Sequence, residues 1–76
     1  MQLGTRWSVG ATPPDRLPAA MLDAIGAVEA EVAELDTSAW RWTLTWLEGR
    51  PIAELDDGTT LRYDPRDDSV SRTVAD

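Results

Sequence analysis

Few kinds of side chain in this sequence could do chemistry. Asp56, Asp57, Asp64, Asp67 and Asp68 fall in two short segments that both read as turns. Clustered carboxylates can hold a hard cation, and a flanking pair can hydrolyse a glycoside. A calcium loop needs oxygen ligands at alternating positions ahead of its glycine, and ahead of Gly58 those positions hold Ala53 and Leu55. Asp64 with Asp67 and Asp68 is the grouping that would hold a cation, and then only weakly. Asp residues that form turns in water account for all five. Glu29 is the one acid on the apolar side of a predicted helix, between Leu22 and Val32 in projection. A carboxyl buried in such a place is a candidate general acid or base. The plainer reading is a border residue whose carboxylate reaches water. Arg41 and Arg62, beside Glu54, project from a predicted polar sheet face and could grip a carboxylate or a phosphate. Exposed charges of this kind are usually incidental.

Absent residue types narrow the chemistry further. The sequence has no His and no Cys, and its seven basic residues are all Arg. An imidazole base, a thiolate nucleophile, a Schiff-base lysine and a His/Cys metal site are therefore excluded. No catalytic residue, cofactor site or metal site is expected. The net charge is −7, which speaks against nucleic acid or an anionic membrane as partner. No signal peptide and no apolar run of spanning length is visible, so a cytoplasmic location is the default expectation. The absence of Lys, Asn and Phe and the scarcity of Ile beside abundant Ala, Asp and Arg suggest a G+C-rich genome, bacterial or phage.

The elements that must position these residues follow from periodicity. Leu3, Thr5, Trp7 and Val9 alternate with Gly4, Arg6 and Ser8, which predicts a first strand. Thr12-Pro13-Pro14 ends it. Asp15 is the expected N-cap of a helix running from Pro18 to Leu35. Its apolar stripe is Met21, Leu22, Ile25, Val28, Val32 and Leu35. Gly26 lies beside the stripe, where close approach of a neighbouring element would explain it. Trp40, Trp42, Leu44 and Trp46 form one face of a second strand. A two-residue Glu48-Gly49 turn sets Trp46 opposite Pro51, Leu44 opposite Ala53 and Trp42 opposite Leu55. A three-residue Asp56-Asp57-Gly58 loop then pairs Leu55 with Thr59 and Ala53 with Leu61, keeping one apolar face continuous. Residues 69–76 read as either a short edge strand or a frayed tail.

The expected fold is α+β, β-α-β-β-β(-β), with one helix packed on one face of a small, mostly antiparallel sheet. Residues 1–76 form a single small domain on this reading. The first strand is expected parallel to the second through a right-handed crossover. Trp7, Trp40, Trp42 and Trp46 all point inward and form a tryptophan-rich core, with Trp40 and Trp46 near strand ends that the helix can leave uncovered. Away from the core, Ala20, Asp23, Ala27, Ala30 and Glu34 project from the helix. An alanine-lined face lets another element approach closely, although alanine is also simply a good helix former.

Those surfaces suggest a non-enzymatic protein-interaction module: an accessory subunit, adaptor or regulator. Its candidate contact residues are Ala20, Asp23, Ala27, Ala30, Glu34, Trp40 and Trp46. The expected partner is a protein, including a second copy through the helix face or a sheet edge. An acidic inhibitor, immunity-type protein or nucleic-acid mimic that covers a basic surface is the alternative. The run Glu48-Gly49-Arg50-Pro51, Asp56-Asp57-Gly58-Thr59, Tyr63-Asp64-Pro65 and Ser69-Val70 resembles the helix-plus-meander of PepSY-type modules. That family's closing hairpin usually carries Thr-Gly where this chain has Asp67-Asp68, and the first strand has no counterpart in it, so the family's role is not carried over.

Overall fold

A computed structural model describes residues 5–74 of the chain. In chain order the elements are β1 (Thr5–Ser8), α1 (Ala19–Glu31), β2 (Arg41–Leu47), β3 (Arg50–Leu55), β4 (Thr59–Asp64) and β5 (Ser69–Val74). The five strands form one sheet in the order β1-β2-β3-β4-β5, and every neighbouring pair is antiparallel. The helix packs on one face, as the α+β pattern requires.

The hairpin registers agree with the alternation. Trp42 pairs with Leu55, Leu44 with Ala53 and Trp46 with Pro51 across β2–β3, and Ala53 pairs with Leu61 across β3–β4. The tight turn has Glu48 at φ 54° and Gly49 at φ 78°, both left-handed, as a twist-matched two-residue hairpin demands. Gly58 has φ 99° and donates its N–H to the Leu55 carbonyl at 2.9 Å. Residues 69–74 pair along β4 and form the edge strand β5. Leu3 and Gly4 of the predicted first strand, and residues 75–76 of the predicted edge strand or tail, lie outside the described residues.

β1 corrects the crossover. It runs antiparallel to β2, with Trp7 opposite Trp42, so the chain leaves the sheet at Ser8 and re-enters at Arg41 at the same end. The Val9 N–H donates to the Trp40 carbonyl at 3.4 Å at that exit. Segments 9–18 and 32–40 are long enough to carry α1 across to β4 and β5, which its backbone approaches, and back again. The helix therefore does not have to deliver the chain to the opposite end, and a parallel crossover is not needed.

The helix is shorter than its periodicity suggests. Pro18, not Asp15, stands at the N-cap with extended backbone and no side-chain cap. A residue preceding proline is pushed out of the α region, so Leu17 cannot join the first turn. The helix ends at Glu31, before Leu35. Met21, Ile25, Val28 and Val32 are buried as expected, whereas Leu22 and Leu35 are exposed. Leu22 follows Met21 by about 100° around the axis, and Leu35 falls beyond the last turn. The core joins Trp7, Leu17, Met21, Ile25 and Val28 to Trp42, Leu44, Ala53, Leu55 and Leu61. No helix among the described residues is long and apolar enough to cross a membrane.

Candidate functional site

The carboxylates of the two turns are held by local partners. At one end of β4, the Asp57 carboxylate accepts the Thr59 N–H at 2.9 Å. Asp56 accepts the Arg41 N–H at 2.9 Å through Oδ2, while its Oδ1 lies 3.8 Å from the Arg6 guanidinium. At the other end, Asp64 accepts the Arg66 Nε–H at 3.2 Å, Nη2–H at 2.9 Å and backbone N–H at 3.0 Å. These bonds from Arg66 hold the Asp64 carboxyl down to about 2. Asp67 accepts the Ser69 hydroxyl, and Asp68 accepts the Tyr63 hydroxyl. The phenol bound in this way has its pKa pushed up, chiefly by that bond to Asp68. Asp64, Asp67 and Asp68 thus turn to three different partners, and no group of three potential ligands that could hold a metal forms among the described residues.

Glu29 stands at the border, as the plainer sequence expectation has it, and one of its oxygens also takes on a structural role. It is half-buried, and its Oε2 accepts two N–H groups, from Trp42 Nε1 at 3.0 Å and from the Gly10 backbone at 3.1 Å. One oxygen therefore joins the helix to the loop after β1 and to the most buried indole of β2. Trp42 is fully buried, and a buried indole N–H needs an acceptor. Its ring stacks on Trp7, with centroids 6.2 Å apart and planes inclined by 16°. Trp7 Nε1 is buried without an acceptor among the described residues. Sequence periodicity located Glu29 but held no signal for its partners, which come from two other segments.

The residues singled out for partner contact do not form one patch. Asp23, Ala27 and Ala30 are exposed together on the outer face of α1, and Ala20 is half-buried. Glu34 lies in the turn after the helix, not on it. Trp40 and Trp46 are half-buried and pack against the core. Gly26 is exposed, and a Cβ built on it would meet nothing within 4 Å. A close neighbour among the described residues therefore does not explain this glycine.

The open face of the sheet offers the other surface. Arg6, Arg41, Thr43, Thr45, Leu47, Arg50, Ile52, Glu54, Thr60 and Arg62 alternate with the inward residues and are not covered by the helix. Arg41 and Arg62 are not brought together, because Arg62 pairs with Ile52 while Arg41 lies at the Asp56 end of β2. Arg50 is the true neighbour of Arg62, two residues before Ile52 on the same face of β3. These two arginines, with Leu47 and Ile52, line a depression of about 480 Å³. The sequence reading passed over Arg50 because it adjoins a turn.

No family model matches the chain, and no curated protein or solved structure matches it.

Proposed function

We propose that this chain is a small, acidic, non-enzymatic protein-interaction module, an accessory subunit, adaptor or regulator working in a bacterial cytoplasm. The observation that supports it most directly is the one-sided covering of the sheet. One helix fills one face, while five strands leave the other face open, and β1 and β5 end the sheet among the described residues. An antiparallel sheet tolerates a wet face, but this one also exposes Leu47 and half-exposes Ile52. Edge strands offer unpaired backbone groups to another chain. The outer face of α1, where Asp23, Ala27 and Ala30 are exposed beside half-buried Ala20, is a second contact surface, while Glu34 in the turn after the helix and the half-buried Trp40 and Trp46 are separate contact points. The partner is another protein or a second copy, not nucleic acid or a membrane.

Sedimentation over a wide concentration range, followed by capture from the native host, tests this reading. Self-association or a defined protein complex is expected. A strict monomer with no protein partner would overturn it. A second reading, an acidic inhibitor that covers a basic surface, draws on the exposed acids Asp23, Glu34 and Asp36 on the helix side. Its mark is an association rate that falls steeply as salt rises.

A further inference from the structure

We infer that the corner of the open sheet face between Arg50 and Arg62 binds a single carboxylate carried beside an aliphatic side chain on a segment of a partner protein, a site that presupposes the interaction-module reading above. Arg62 stands opposite Ile52 across β3–β4, and Arg50 stands opposite Leu47 across β2–β3, one step along the same face. Diagonal neighbours in a sheet lie roughly 7–8 Å apart, so two long flexible guanidinium arms can converge on one anion. The depression between them, of about 480 Å³, is also lined by Leu47, Ile52, Asp64 and Ser71.

Neither arginine has a direct ion pair among the described residues, although Arg50 is near enough to Asp64 to help lower its pKa. Among the described residues, Arg6, Arg66 and Arg72 each have a carboxylate within 4.0 Å, and Arg50 and Arg62 have none. Asp64 is the lining acid best placed to neutralise them, but Arg66 already occupies both of its oxygens. Two guanidinium groups with no carboxylate within 4.0 Å among the described residues, on a chain of net charge −7, are the complement of an anion.

The surroundings choose among anions. A nucleic-acid strand or a polyphosphate would meet the field of an acidic chain, with Glu48 and Asp64 in the lining repelling a multiply charged group. A single carboxylate avoids most of that cost. Leu47 is 61% exposed, and an aliphatic side chain next to the carboxylate would cover it and Ile52. The ligand is therefore an acid–aliphatic protein segment.

The test follows backbone amide shifts on adding acetyl-Leu-Glu-Leu-amide, its Gln counterpart, or inorganic phosphate. Saturating shifts centred on Leu47, Arg50, Ile52 and Arg62 are expected with the Glu peptide and not with the Gln peptide. The Arg50→Gln/Arg62→Gln double variant should bind about tenfold more weakly, while Arg16→Gln binds as the parent does. Unchanged far-UV circular dichroism would show that the double variant is folded, and Arg62→Gln alone serves if it is not. Equal binding of the Gln peptide, tighter binding of phosphate at the same residues, or an unaffected double variant would overturn the site. If the Glu peptide does not bind while the chain still associates with a protein, this site falls and the module reading stands. If the chain is a strict monomer without a partner, the module reading falls with whatever is built on it.

Discussion

At the scale of single residues, Glu29 carries more structure than its border position in the sequence implies. Its Oε2 satisfies the indole N–H of a fully buried tryptophan and a loop N–H in addition. Removing an acceptor from a buried donor costs the desolvation of that donor, about 1–3 kcal/mol. Glu29→Ala should therefore lower unfolding stability by that amount in urea titrations, and Glu29→Gln, which keeps an amide oxygen, by clearly less. Gly26 is the opposite case. It lies within α1, is exposed, and has open space where a Cβ would go. Gly26→Ala removes a helix-interior glycine and should stabilise by about 0.5–1 kcal/mol, read as a higher midpoint in thermal unfolding. Asp64 provides a pH test. Its carboxyl is held at about 2 by Arg66, below the unfolded value of about 4. An acid depressed in this sense contributes stability above the unfolded value and loses it as pH falls through the folded one. A carboxyl-detected NMR titration should place the Asp64 midpoint near 2, and Arg66→Gln should move it up toward the usual range.

At the scale of elements, the sequence was most legible where a side-chain period and a turn residue act together. Trp42, Leu44 and Trp46 alternate inward, and a two-residue turn fixes their partners, because a one-residue slip would expose the whole face. The same alternation does not encode direction, so β1 could be recognised as a strand but not oriented against β2. Helix limits were less legible. The stripe runs on to Leu35, while the real end is set by the turn that follows Glu31. The Arg50–Arg62 corner was hardest to see, since it arises from two ladders that bring a turn-flanking residue beside a mid-strand one. Two element-scale predictions follow from these contacts. Glu48 sits at φ 54° in the first position of its hairpin turn, a conformation that disfavours most side chains and suits Asn. Glu48→Asn should stabilise the β2–β3 hairpin, measured as a shift of the urea midpoint to higher denaturant. Arg72 links β5 to α1 by two bonds to Glu31, at 2.7 and 2.8 Å. The bond from Arg72 lowers the Glu31 pKa, so this link persists above the unfolded carboxyl value and is lost as pH falls through the folded one. Arg72→Gln should raise hydrogen exchange in β5 and leave β2–β3 amides nearly as protected as in the parent.

At the scale of the whole molecule, the same 76 residues must supply a core from one helix and one sheet face, with no disulfide to assist. Stability of about 0.05–0.15 kcal/mol per residue sets a total of roughly 4–11 kcal/mol. Trp42 stands where that margin is most concentrated. It is fully buried, stacks on Trp7, and gives Glu29 its indole partner. Truncating a buried Trp costs about 3–5 kcal/mol, so Trp42→Ala removes a large share of the total, and it also leaves Glu29 without one donor. Trp46 is half-buried near the end of β2, so Trp46→Ala removes much less packing. Urea unfolding followed by far-UV circular dichroism separates the two: Trp42→Ala should lose about 3–5 kcal/mol, while Trp46→Ala loses clearly less. A Trp42→Ala variant that lost no more stability than Trp46→Ala would mean that stability is spread across the sheet and not centred on the Trp7–Trp42 stack.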